Sequence, residues 1–397
     1  MALATVALAA MLGLPACAPA SPAAPSGLRV APSSAGLSIT WNPRPGASRY
    51  DIRFRRPAGG AWRVTRRPAR VRRLVLASAA PYVFQVRACA RRRCSPWSAP
   101  VTAAPGPGAP GSAPTSATEL PTIGGCPVLP ADNPFNRDVS HAPLDPRSSR
   151  YIASIGRGGH LHPDFGSNPD YGIPYSVVPA SQPALTIRFT AYGAESDPGP
   201  YPIPLRAPIE SGSDRHVLVV QSGTCKLYEL FAAKRAGGLL WEADSGATFD
   251  LGSDALRPDG WTSADAAGLP ILPGLVRYDE VRAGAVRHAI RMTVEQTQRA
   301  FIHPATHFAS SSTDPSRPPM GLRLRLKASF DITRFPRASR IILQAMKTYG
   351  LIVADNGTNW FFGGATDSRW NDDELNPMKT VPGRAFEVVR SGSLQRG

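Results

Sequence analysis

The sequence predicts a mainly β protein in two folded parts, on three observations. Runs in which apolar and polar residues alternate recur along the chain, separated by Pro/Gly turns. The 42 Pro and 36 Gly among 397 residues exceed average usage and favour loops, linkers and β-structure over helix bundles. A Pro/Gly/Ser/Ala stretch, residues 103–120, separates residues 24–102 from residues 121–397. The hydrophobic fraction of 42% is that of a globular protein and argues against wholesale disorder. No apolar run after the first 20 residues reaches spanning length, which argues against an integral membrane protein.

Met1–Ala20 reads as a secretory signal, an apolar stretch followed by small residues, although the usual charged start is missing. Leu14-Pro15-Ala16-Cys17 resembles a bacterial lipobox, which would make Cys17 a lipidated mature N-terminus and attach the protein to a membrane. Plain cleavage near Ala18 or Ala20 is the alternative. Either way the expected address is secreted, extracellular or at the cell envelope.

In the first part, Leu37–Trp41, Tyr50–Phe54, Trp62–Val64 and Tyr82–Val86 alternate apolar and polar residues between turns. Gly27-Leu28-Arg29-Val30, Trp41, Tyr50, Leu76, the spacing Tyr82-x-Phe84-x-Val86-x-Ala88 and Ser95-Pro96-Trp97-Ser98 together resemble a fibronectin type III domain over nearly the whole segment. The resemblance implies a seven-stranded sandwich with Trp41 and Tyr82 in its core, acting as a spacer or accessory module. Within the linker, Gly106-x-Gly108-x-x-Gly111 matches the dinucleotide fingerprint by letter only, because no strand precedes it and no helix follows.

Apart from Cys17, four cysteines remain, which suits an oxidising compartment. Cys89 and Cys94 flank a hairpin-like loop, and Cys126 with Cys225 would then close a long one. Four cysteines allow three pairings, and sequence does not choose among them. No CxxC is present to suggest zinc.

The second part is expected to be β-rich, either a β-sandwich of jelly-roll type or α+β, with a few helices. Strand-like runs are Tyr175–Val178, Leu185–Phe189, His216–Val220, Lys226–Phe231, His288–Thr293, Gly321–Lys327 and Leu351–Ala354, and helix-like runs are Arg147–Ile155 and Ser339–Tyr349. The segments Pro130–Asn136, Leu161–Phe165, Glu195–Pro204, Gly260–Gly268, Leu275–Glu280 and Ile352–Gly357 resemble a family of secreted bacterial proteins of unknown activity. That resemblance carries no mechanism.

The net charge of +16 is unevenly spread. Residues 1–118 hold sixteen Arg, no Lys and a single acid, Asp51, so they carry +15, while the remainder is nearly neutral. Forty Arg against five Lys fits GC-rich coding, which weakens any argument from basicity to nucleic acid. No base-reading motif occurs, so the expected partner is an extracellular polysaccharide or an anionic cell-wall polymer, and not a nucleic acid.

There is no GxSxG, Walker A or HExxH motif, and no cofactor is expected. Carboxylates, histidines and arginines remain as carriers of chemistry. Glu195 and Asp197 precede a rigid Pro-rich loop in which Tyr201 is placed to stack on a sugar ring, and paired carboxylates are what a glycosidase needs. Alongside them, His160, His162 and Asp164 share a loop, and His303 and His307 sit four apart around Pro304. Asp214, Arg215 and His216 group with Asp244 and Asp250. On Gly321–Lys327, alternation puts Arg323, Arg325 and Lys327 on one face, placed to recognise uronate or phosphate. The expected catalytic set is therefore Glu195, Asp197, His162 and His303, with Tyr201, Asp164, Asp250, His307, Arg323 and Arg325 binding substrate. The expected function is glycan hydrolysis or elimination by carboxylate/His acid–base chemistry. A non-catalytic wall- or glycan-binding adhesin is one alternative, and a metal-dependent hydrolase built on His160, His162, His303 and His307 is another.

Overall fold

The computed structural model describes residues 23–103, apart from 34–35, 58, 72, 77–80 and 91–92, together with residues 121–396. The signal segment Met1–Ala20, the lipidation residue Cys17 and linker residues 104–120 lie outside the described residues. The chain divides into two compact units, Met1–Thr115 and Ser116–Gly397. Among the described residues no helix is long and apolar enough to cross a membrane.

Among the described residues the first unit has eight strands: β1 (Arg29–Ser33), β2 (Gly36–Thr40), β3 (Arg49–Arg56), β4 (Gly59–Pro68), β5 (Arg73–Leu76), β6 (Tyr82–Ala90), β7 (Arg93–Cys94) and β8 (Val101–Ala103). They form one sheet in the order β1-β2-β5 and another in the order β4-β3-β6-β7, with β8 also on β6. Alternation turns Leu37 and Ile39 of one sheet and Ile52, Phe84, Val86 and Ala88 of the other into a common core with Trp41 and Tyr50. This Fn3-like division of strands agrees with the resemblance. Tyr82, expected in the core, is only partly buried, its ring against Phe54 and Phe84.

The seventh sandwich strand is split into β7 and β8 for a local reason. Pro96 and Pro100 have no N–H for the ladder. Across the gap the Ser95 and Ser98 hydroxyls accept from the Ala88 and Val86 amides at 3.1 and 3.0 Å, so the β6 donors stay satisfied. Cys89 faces Cys94 across β6 and β7 and is bonded to it.

The second unit is α+β rather than a jelly roll, because a jelly roll is antiparallel and four strand pairs here run parallel. Its largest sheet holds, in spatial order, His162–Pro163, Phe361–Phe362, Ile290–Val294, Leu351–Asn356, Arg323–Leu326 and Phe386–Val388. A four-stranded sheet runs Tyr175–Val178, Val217–Gln221, Lys226–Phe231, Ser245–Asp250. A third sheet of three includes Thr186–Phe189 and Leu240–Ala243. Helices α1 (Ser148–Ile155), α2 (Tyr278–Ala283), α3 (Arg337–Thr348) and α4 (Asp372–Leu375) accompany them.

Helix α3 shows how the sequence sets one element. Pro336 starts it, and Ile342, Leu343 and Met346 form its buried stripe. The Glu374 carboxylate of α4 caps it by accepting from the Ala338 amide at 2.9 Å. At its end Gly350 takes φ +77°, and an added Cβ would lie 2.1 Å from the Leu324 carbonyl oxygen. The chain can then turn at once into Leu351–Asn356. A Cys126–Cys225 disulfide ties the start of the unit to the turn between Val217–Gln221 and Lys226–Phe231.

Two side chains expected on an open strand face are instead structural. Arg323 is buried and donates to the Tyr349 and Pro134 carbonyls, both at 2.6 Å. Burial pushes its guanidinium down to about 10, with Arg137 adding to the effect. Arg325 pairs with Glu387 at 2.8 Å and gathers the Val139, Ser140 and Ala142 carbonyls. The strand is covered on both faces, and the polar groups of both arginines are taken up by the protein itself, although Arg323 also lines a cavity of about 240 Å³ with His303 and Arg137.

Candidate functional site

Five charged side chains from separate segments converge around Arg291 of the strand Ile290–Val294. The Asp265 carboxylate accepts from Arg291 Nε at 3.0 Å and from Nη2 at 2.8 Å, and both residues are buried. Asp355, at the end of the parallel neighbour Leu351–Asn356, has Oδ2 3.8 Å from the same Nη2. His216 and Glu210 form a second pair, His216 Nδ1 lying 2.5 Å from Glu210 Oε2. His216 Nε2 is 3.0 Å from the Ala264 carbonyl, next to Asp265. Asp164 follows His162–Pro163 on the sheet's edge strand and feels the charges of both Glu210 and Arg291.

Local sequence explains the convergence. The Arg291 stem passes between Gly274 and Gly363, where an added Cβ would come within 3.0 and 3.1 Å of it. Only glycine allows that approach without displacement. The segment Ala264–Ala267 is the hub. Its Ala264 carbonyl meets His216, its Asp265 carboxylate binds Arg291, its Ala266 carbonyl is 2.8 Å from His307 Nδ1, and its Ala267 amide donates to the Ala354 carbonyl.

The cluster grades from a closed floor to an open rim. Asp265 is fully buried, Glu210 is 16% exposed, Asp355 is 23% exposed and Asp164 is exposed. Burial, reinforced by the charge of Asp265, pushes the Asp355 carboxyl up to about 7, with Arg291 and His216 only partly offsetting it. Burial acts the same way on Glu210, but the hydrogen bond and charge of His216 outweigh it and hold that carboxyl below its ordinary range. For His216 burial favours the neutral ring, and Glu210 overcomes it and raises the imidazole. Desolvation raises Asp164 as well. The arrangement thus holds two carboxyls, Asp355 and Glu210, that both feel the charges of Arg291 and His216 and whose proton affinities are shifted in opposite directions.

The residues expected to be catalytic are placed otherwise. The Asp197 carboxylate is ion-paired with Arg257 and accepts from the Thr248 amide at 2.8 Å. Glu195 Oε2 accepts from the Thr262 amide at 3.1 Å. Both therefore brace the chain leading into the Asp265 hub. His303 pairs with Asp259 at 2.8 Å, and His162 stacks on Phe361 with ring centroids 4.0 Å apart. No hydrogen bond or ion pair joins any two of the four among the described residues. Each of the four is engaged with a different partner rather than with another member of the set.

The expected binding residues divide similarly. Tyr201 is 1% exposed, its hydroxyl donating to the Asp197 carbonyl, so it is a core residue with no ring face for a sugar. Asp250 and Asp197 line a cavity of about 300 Å³ with Lys226, Phe249 and Arg257. His307 touches the hub, and Asp164 belongs to the cluster. His303 lies in a turn after the strand Ala300–Ile302 and His307 in the irregular segment that follows, neither on a helix. The four histidines of the metal reading do not assemble as a donor group among the described residues. The three donors that do, Asp51, Cys89 and Cys94, include a disulfide.

Sequence reading singled out His216 and Asp164 but passed over Glu210, Asp265, Arg291 and Asp355. A signal was present, since Gly260–Gly268, Ile352–Gly357 and Leu161–Phe165 were segments that carried the family resemblance, and each sends one carboxylate here.

No family model and no curated protein matches the chain. Solved structures that are similar to it align with about a fifth of its length. A fibronectin type III domain of human collagen XX is 26% identical over 22% of this chain and 100% of that one, with a TM-score of 0.18. An Fn3-like protein from Clostridium thermocellum is 25% identical over 21% of this chain and 92% of that one, with a TM-score of 0.19. A structure described as a myokine is 20% identical over 21% and 98%, with a TM-score of 0.20.

Proposed function

We propose that the second unit is a hydrolase or lyase acting on an extracellular polysaccharide through carboxylate acid–base chemistry. The carrying observation is Asp355, a part-exposed carboxyl held protonated up to about pH 7 beside the Arg291–Asp265 pair. In a hydrolytic reading Asp355 delivers its proton to the departing glycosidic oxygen. Glu210, kept ionised by His216, takes a proton from the water that attacks the anomeric carbon. Water is consumed and one sugar–oxygen bond is exchanged for another. In an eliminative reading the ionised carboxylate instead removes the proton beside a uronate carboxyl, a C=C bond forms as the glycosidic C–O bond breaks, and Asp355 gives its proton to the departing oxygen. Arg291 and Asp265 position these groups, because both are too buried to touch a polymer. The two disulfides fit an oxidising, extracellular setting.

The test is a panel of neutral and acidic polysaccharides incubated with the full chain and with D355N. Reducing ends or unsaturated products from the native protein, lost in D355N, support the proposal. Products made equally by D355N, or no product from any polymer, overturn it.

A further inference from the structure

The outer face of the sheet β4-β3-β6 carries a ladder of arginine and tryptophan. The Arg53 guanidinium lies 4.4 Å from the Trp62 ring centroid and 4.3 Å from that of Trp97. Arg55 extends the ladder over Trp62 at 4.8 Å, and Arg87 extends it over Trp97 at 4.5 Å. Alternation puts Val64 and Arg66 on the same face, opposite Arg53 and Asp51, and they are 52% and 76% exposed. Asp51, the one acid in residues 1–118, is 1% exposed beneath Arg49, Arg66 and Arg87. Its charge is therefore withdrawn from the surface, and the face presents cations.

We infer that this face docks a uronate-bearing polysaccharide. Three properties select that partner. The guanidinium groups are immobilised on indole rings before any ligand arrives, and Arg53 and Arg87 are held further because their Nε and Nη2 groups donate to Gln85 and Asp51, so little side-chain entropy is left to lose and the N–H groups not used in those bonds remain for carboxylates. Val64 and the tryptophan edges between the cations suit the C–H faces of sugar rings. Each indole is already capped by two guanidinium groups, which leaves poor stacking platforms for the bases of a single strand. The inference does not depend on the chemistry proposed for the second unit, since it concerns binding alone.

The experiment measures binding of the full chain to polygalacturonate by titration calorimetry, with dextran as the neutral control and single-stranded DNA as the competing polyanion. R66E changes an exposed side chain, and W62A removes a rung of the ladder. Thermal melts show whether each variant is folded. Polygalacturonate is expected to bind and dextran not, with affinity falling about tenfold between low and high salt. R66E is expected to weaken binding about fivefold, and W62A more, with R66E retaining the native melt. Equal binding of dextran, tighter binding of DNA than of polygalacturonate, or unchanged affinity in a folded R66E would each overturn the inference.

Discussion

The two units handle charge in opposite ways. Among the described residues the N-terminal sandwich packs an apolar core and carries its arginines outside it, with Asp51 the one charged side chain buried, beneath them. The C-terminal unit takes Asp265, Arg291, His216 and Glu229 into its interior, each with a hydrogen-bonded partner. A surface cation that loses its partner turns to water, whereas a buried one is left without compensation. In the first unit charge can therefore serve recognition with little effect on folding. In the second it holds the fold and the candidate site together, so the same substitution should have different consequences in the two places.

The largest effect should come from Asp355. D355N removes the proposed acid and should lower product formation by about 10²–10⁴-fold, read as initial rate on whichever polymer is cleaved. The native pH profile should fall as pH rises through about 7, where Asp355 loses its proton. Its acid limb should lie below the ordinary carboxylate range, where Glu210 gains one.

Next come the matched acids. D265A strands Arg291 in the interior and should cost about 3–5 kcal/mol. D51A leaves Arg49 and Arg87 free to turn outward and should cost about 1–2 kcal/mol. Chemical denaturation of the two variants tests the contrast directly, and equal costs would break it. E229A belongs with D265A. Glu229 is fully buried and accepts from the Ile271 and Leu272 amides at 2.9–3.0 Å. Its removal leaves two buried donors unpaired, at a cost of about 2–5 kcal/mol.

The disulfides extend the comparison. Cys126–Cys225 spans 99 residues and Cys89–Cys94 spans five. By loop-closure entropy the first should stabilise its unit by about 4–5 kcal/mol and the second by less. Paired serine variants melted side by side would measure the difference.

The smallest effect is a sign test. A carboxyl raised on folding binds its proton more tightly in the native state, so stability is lost as pH climbs from the unfolded value towards about 7. D355N should remove that penalty and raise the melting temperature at pH 8, with little change at pH 4. The Glu210–His216 pair has the complementary signs. Its contribution from Glu210 fades as pH falls through that lowered carboxyl, and its contribution from His216 fades as pH rises through that raised imidazole.

Local pattern made most of the fold legible. The strand-like runs of the second unit and the helix-like runs of α1 and α3 lie within two residues of the elements. By contrast, Trp62–Val64 and Tyr82–Val86 fall three or four residues short of the strands Gly59–Pro68 and Tyr82–Ala90, and Leu240–Ala243 and Ser245–Asp250 had no predicted run. Turn chemistry and two-residue alternation act over short stretches and survive any packing. Less of the site was legible. Glu195 and Asp197 stood out because acids before a Pro-rich loop look exposed, yet Arg257, sixty residues on, claims Asp197. Asp355 lies just past the strand-like run Leu351–Ala354, within the strand Leu351–Asn356, and no local pattern marks it. Its significance comes from Asp265 and Arg291, which no local spacing connects to it.

From sequence alone came the β character, the Fn3-like unit, the lopsided charge and the segments that matter. Each depends on composition or on neighbours along the chain. Which acids are free, which are clamped and which are raised was decided only in three dimensions. A proton's affinity depends on burial and on charges a few ångströms away, and here those charges arrive from residues 210, 216, 265, 291 and 355.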